Sequence, residues 1–174
     1  VRFRAAFTPA PRTYADIEPH VAAIRERSFS NETPIKDGLL ELEFYDLAIV
    51  AAQHLQHLGA YAPDTIAQLL AAKQRDYGTG NIDAFGIKGL AVRISDKAAR
   101  LANLESTNSS PNNESIVDTW VDIFGYCVIA AMLFTNTFHL PLAKEAPTVT
   151  TTNTTPPTAP VLQVRADGTI SPRD

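Results

Sequence analysis

The sequence predicts an all-α domain, and two observations carry that prediction. Apolar residues recur at helical spacing through most of residues 37–139, while strand-like alternation is nearly absent there. The joints between successive apolar stripes are marked by Gly, Pro and Asn, which end helices rather than continue them. With 174 residues, 45% hydrophobic and 20% charged, the chain can close one globular core. Three regions differ in texture. An irregular N-terminal segment covers 1–36, an all-α domain covers 37–141, and a Thr- and Pro-rich tail covers 142–174.

The N-terminal segment contains Pro9, Pro11, Pro19 and Pro34 and leaves room for one short helix around Ile17 to Arg27. Four core helices are expected after it. The first runs from about Gly38 to Leu58, with Leu39, Leu42, Leu47, Val50, Leu55 and Leu58 near helical spacing, and stops at Gly59. The second starts after Pro63, with Asp64 or Thr65 as N-cap, and runs to about Asp76. Tyr77-Gly78-Thr79-Gly80-Asn81 breaks it, because Gly and Asn supply the positive φ that a helix end needs. The third covers about Gly86 to Leu104, with Leu90, Ile94, Ala98 and Leu101 on one stripe. The fourth runs from near Asn113 to about Phe138, where Pro141 bars continuation. The tail has few large apolar groups to offset its ordering entropy and is expected to be disordered. Its VLQV at 161–164 is the one candidate for a transient strand or a docking segment.

The net charge of −4 and the pI near 5.5 argue against a protein that works by coating nucleic acid. Cys127 is the single cysteine, so neither a disulfide framework nor a cysteine-zinc site can form within one chain, and a reduced cytoplasmic setting is expected. The N-terminal VRFRAAFTPAPR lacks the apolar core of a signal peptide. The apolar run Ile123 to Phe134 is too short to span a bilayer and reads as a buried helix, so no membrane partner is expected.

The charges of the third and fourth helices point to chemistry. Arg93, Asp96, Lys97 and Arg100 occupy a stripe beside the apolar one, where side chains project into a cleft rather than into open water. Lys73 precedes them on the second helix. Glu114, Asp118 and Asp122 lie four residues apart and would fall within an arc of about 80° on one helix face. Three such acids repel one another. A divalent cation reverses that repulsion, because Mg²⁺ takes carboxylate oxygens together with water and substrate phosphate. The bland alternatives are an i,i+4 pair between Asp96 and Arg100 and a helix-dipole role for Glu114 and Asp118. Asp122 fits the latter least, lying deeper beside Trp120, Ile123 and Phe124. Tyr77, Phe85 and Trp120 can each stack on a base or pack in a core. His54 and His57 have metal-compatible spacing but no third ligand.

The blocks KQRDYG, NIDAFGIKGLAVRISDKAARLANL and ESIVDTWVDIFGY resemble the phage and bacterial nucleotide-modification-associated domain, first type, over about residues 66–134. That family's helical layout is similar to MazG-like all-α nucleoside triphosphate pyrophosphohydrolases, which hold Mg²⁺ between two acidic helices and cleave between the α and β phosphates. The resemblance implies a nucleotide as ligand, Mg²⁺ as cofactor, and a bacterial or phage-infected cell as the setting. Glu114, Asp118 and Asp122 match the second acidic helix and would hold the metal. Asp96, Asp118 and Asp122 would be catalytic. Lys73, Arg93, Lys97 and Arg100 would clamp phosphate oxygens. The first acidic helix departs from the pattern: Asp96 is its one acid, and Lys97 and Arg100 stand where further acids would be expected. Glu41, Glu43 and Asp46 could supply missing ligands. The leading expectation is a Mg²⁺-dependent pyrophosphohydrolase acting on a deoxy- or modified nucleotide, and the alternative is a non-catalytic nucleotide-binding or scaffold subunit of a DNA-modification pathway. A purely structural helical bundle is the third. The apolar fourth helix also predicts a homo-oligomer, most simply a twofold dimer.

Overall fold

The computed structural model describes residues 11–30, 38–108, 110–111 and 113–142, together with the strands 162–164 and 170–172. Two compact units divide between Pro141 and Leu142. Among the described residues the first holds five helices: α1 (Tyr14–Phe29), α2 (Gly38–His57), α3 (Pro63–Tyr77), α4 (Gly80–Thr107) and α5 (Ile116–Phe134). The domain is all-α. The second contains strands β1 (Leu162–Val164) and β2 (Ile170–Pro172), paired antiparallel with Val164 opposite Ile170. The Thr-rich stretch expected to be disordered lies outside the described residues.

The helices that enclose the core are α1, α2, α5 and α4, each packed on the next and α4 back on α1. Contacts along each pair fix its direction. Tyr14 at the start of α1 meets Glu105 near the end of α4, and Lys88 near the start of α4 lies over Phe29 at the end of α1. His20 pairs with Glu43, and Arg12 reaches Gln53. His54 stacks on Trp120, and Phe44 meets Phe134 edge to face. Every neighbouring pair is therefore antiparallel. Ile17, Val21 and Ile24 of α1, Leu40, Phe44, Leu47 and Leu55 of α2, Leu90, Ile94 and Leu101 of α4, and Trp120 and Ile123 of α5 are buried in one cluster.

The sequence assigned the bundle to four helices after residue 37, and the structure replaces one of them. The N-terminal segment supplies a full helix, α1, whose first turn is fixed by Asp16 accepting the Thr13 amide at 2.8 Å. Its Pro19 lies inside the helix, at the sixth residue, and withholds the N–H that would otherwise bond the Ala15 carbonyl. Helix α3 stands outside the ring. It buries only Ile66 and leans lightly on α5, where Gly125 leaves room for Leu70.

The boundaries of α4 and α5 also differ from expectation. α4 starts at Gly80 and is kinked at Gly86, whose φ of +50° is open to glycine and strained for other residues. The expected start at Gly86 is the start of the segment after the kink. α5 begins later than Asn113 because Ser115 caps it, its hydroxyl accepting the Asp118 amide at 3.0 Å. It stops at Phe134 because the Thr135 and Thr137 hydroxyls bond the Ala131 and Met132 carbonyls and Asn136 turns to positive φ.

α5 is long and apolar enough to cross a membrane by length and composition alone. In this fold its Trp120, Ile123, Cys127 and Ala130 are buried, and Ile116 is its exposed large apolar side chain. Exposed apolar groups concentrate instead on α2, at Leu39, Leu42, Tyr45 and Ile49. Burial pushes the Cys127 thiol pKa up, so this cysteine is an inert part of the core.

His54 is a buried polar group with a defined task. Its Nδ1 accepts the Arg12 amide at 2.8 Å, and its ring lies 4.4 Å from that of Trp120. Burial, then the neighbouring His57, lowers its pKa below the ordinary 6.5, against a smaller opposing effect of Asp16. The unfolded chain takes up a proton near 6.5 that the native ring refuses, so stability falls as pH drops below that value. His54→Asn keeps an acceptor for Arg12 without the titration. Urea unfolding at about pH 7.5 and about pH 5.5 should show a smaller acid loss for the variant than for the parent. Equal losses would remove His54 as a source of the slope.

Candidate nucleotide site

The antiparallel register of α4 against α5 turns the cationic stripe of α4 directly onto the polar stripe of α5. At one end, the Arg100 guanidinium donates to Thr119 Oγ1 and to the Glu114 carbonyl. One turn along, Lys97 Nζ lies 2.8 and 2.9 Å from the two Glu114 carboxylate oxygens and 2.7 Å from Asp122 Oδ2. A further turn along, Arg93 lies over the Tyr126 ring, 5.9 Å from its centre. Lys73 enters from α3 and reaches Asp122 Oδ1 at 2.8 Å. The result is a row of four cations and two carboxylates drawn from three helices and the segment before α5.

Asp122 is the centre of the row. Its side chain is 15% exposed, against 45% for Lys73. Burial raises its pKa, but hydrogen bonds and charge from Lys73 and Lys97 outweigh this and hold it below the ordinary 3.8. For Lys97, burial acts downward and the bonds to Asp122 and Glu114 prevail, so its pKa is raised above 10.5. Both groups are ionised across the physiological range. Arg93 and Arg100 contact no carboxylate among the described residues.

The structure does not gather Glu114, Asp118 and Asp122 on one helix face. Glu114 precedes the Ser115 cap and is drawn onto Lys97. Asp118 turns back on the helix start, its Oδ2 accepting the Ser115 amide at 3.2 Å and the Ser115 hydroxyl at 2.7 Å. Asp96 is exposed on α4 and has no partner among the described residues. It forms no pair with Arg100, which Thr119 and the Glu114 carbonyl hold instead. Glu43 is engaged by His20 on another face. Among the described residues no three His, Cys, Asp or Glu side chains form a metal-holding group. These acids, each engaged by the protein or set apart, do not fit a Mg²⁺ site built from carboxylates alone.

Asp118 therefore has a local structural duty. Asp118→Ala removes one half of a capping box and is expected to cost about 1 kcal/mol of stability. Denaturant unfolding of the variant checks this, and an unchanged stability would show that the box does not hold the helix start.

The sequence did not single out Thr119, Tyr126 or Ser115 as members of this row. Their signal is spacing: Thr119 and Tyr126 stand three before and four after Asp122, on the same helical stripe. Of the three aromatic candidates, Trp120 is 1% exposed and belongs to the core, whereas Tyr77 is 82% and Phe85 64% exposed.

No curated protein and no solved structure matches the chain. Residues 73–133, which run from the α3 lysine through the whole α4–α5 row, match the family model described as nucleotide modification associated domain 1.

Proposed function

We propose that the Lys73–Lys97 row binds the phosphates of a nucleotide, a deoxynucleoside triphosphate or a modified one, within nucleotide or DNA-base modification. One observation carries the reading: lysines from two helices converge on opposite oxygens of a single carboxylate, at 2.8 and 2.7 Å. Two ammonium groups held this close suit the adjacent oxygens of a polyphosphate, which can compete with Asp122 for both. Arg93 and Arg100 add charge that no carboxylate in the row neutralises, and a guanidinium can engage phosphate bidentately. The family match over the same residues supports nucleotide chemistry at this place in the chain.

A second reading is Mg²⁺-dependent release of diphosphate from the bound nucleotide. It is favoured by the ionised state of Asp122 together with the exposure of Lys73, a partner that can leave it. The carboxylates as arranged supply no metal-holding group, so binding is the primary reading. Titrating the intact protein with each deoxynucleoside triphosphate, with and without Mg²⁺, and analysing the products separates the two. Metal-independent binding without turnover is the expected result. Diphosphate release would install the second reading, and no binding under either condition would overturn both.

A further inference from the structure

We infer that Tyr77 is the base platform of this site, so that the ligand is recognised as an intact nucleotide rather than as a polyphosphate alone. The inference rests on the phosphate-binding reading of Lys73 and Lys97.

Tyr77 closes α3 four residues after Lys73, which places both side chains on one face of that helix, about 6 Å apart along its axis. Lys73 is held at Asp122 beside Lys97, so the α3 residue that anchors the phosphate end of the row stands one helical turn before the residue that bears the ring. A sugar bridges a base and its phosphates over a comparable span. The ring itself is 82% exposed and has no partner among the described residues. The chain around it is cleared. Gly78, at a φ of +66°, ends the helix immediately after Tyr77, and at neither Gly78 nor Gly80 would a Cβ meet any atom within 4 Å. The ring, 82% exposed, is therefore open to a planar group.

The alternatives for a stacking partner are weaker. Trp120 is enclosed by the core and stacked on His54. Tyr126 is already covered by Arg93. Phe85 is exposed, but it lies beyond the 78–79 turn on α4 and shares no helix face with Lys73. Stacking on an aromatic ring tolerates every base, so Tyr77 would confer affinity for nucleotides as a class and little choice among them.

The test compares the intact protein with Tyr77→Ala and Tyr77→Phe by calorimetry, using deoxynucleoside triphosphates, inorganic tripolyphosphate and a short single-stranded oligonucleotide. Tyr77→Ala should weaken triphosphate binding by about tenfold, the scale of one base–aromatic stack, and leave tripolyphosphate binding unchanged. Tyr77→Phe should bind as the parent does. Unchanged nucleotide affinity in Tyr77→Ala, with tripolyphosphate still bound, overturns the role of Tyr77 but leaves the phosphate site standing. If the parent binds neither nucleotide nor tripolyphosphate, the phosphate site fails and this inference with it. Oligonucleotide binding tighter than that of the mononucleotide would overturn the inference in favour of a nucleic-acid strand.

Discussion

Trp120→Ala is expected to destabilise the domain by about 4 kcal/mol, a large part of the stability of a domain this size. The indole is 1% exposed near the start of α5 and lies against His54 of α2, in the most extensive helix pair of the ring. Truncation removes the apolar contact and leaves a cavity that the helix backbones cannot close. It also uncovers His54, whose bond to the Arg12 amide links the start of α1 to the end of α2. Denaturant unfolding followed by circular dichroism checks this directly. A loss below about 1 kcal/mol would mean that Trp120 is not the keystone of the core.

Asp122→Ala is expected to cost about 3 kcal/mol. The substitution leaves Lys97 half-buried with only Glu114 for balance and frees α3 from its ionic tie to α5. The pH dependence has a definite sign. Because the folded pKa of Asp122 is depressed, its contribution is complete above the ordinary value of 3.8 and is lost as pH falls through the lower folded value. The raised pKa of Lys97 gives the converse: its contribution is complete below 10.5 and is lost as pH rises through the higher folded value. Replacing both partners, as Lys97→Met with Asp122→Leu, should recover much of the single-variant loss, since no unpaired charge then remains between them. Failure of the double variant to recover would show that the row holds the helices by more than charge balance.

The helical content was legible because it depends on local periodicity. Stripes such as Leu90, Ile94, Ala98 and Leu101 are buried as their spacing requires. Which helices form the ring was not legible. α1 carries only Ile17, Val21 and Ile24 as its buried apolar stripe, in a segment punctuated by proline, and its place depends on contacts with α2 and α4 far along the chain. The weak attachment of α3 is likewise a tertiary fact.

For the site, the cationic stripe was read from sequence, and the structure brings Lys73, Lys97 and Asp122 together. The acidic stripe misled because helical spacing was extended three residues too far back. Ser115 and Asp118 form a capping box, a pattern visible in Ser115-Ile116-Val117-Asp118, and that box ends the helix before Glu114 can join its face. Once Asp118 is committed to the cap and Glu114 to Lys97, the two lysines on Asp122 become the dominant feature.

The most direct test of this account is the nucleotide affinity of Lys73→Ala set beside its stability. Lys73 is the most accessible member of the Lys73–Asp122–Lys97–Glu114 network and sits on the helix least involved in the core, so its loss should lower stability by no more than about 1 kcal/mol. Affinity for a deoxynucleoside triphosphate, measured by calorimetry in the absence of Mg²⁺, is expected to fall by about tenfold in the same variant, the scale of one charge-assisted bond to phosphate. An affinity equal to that of the parent would contradict this expectation, and would make the row an interhelical fastening with no ligand.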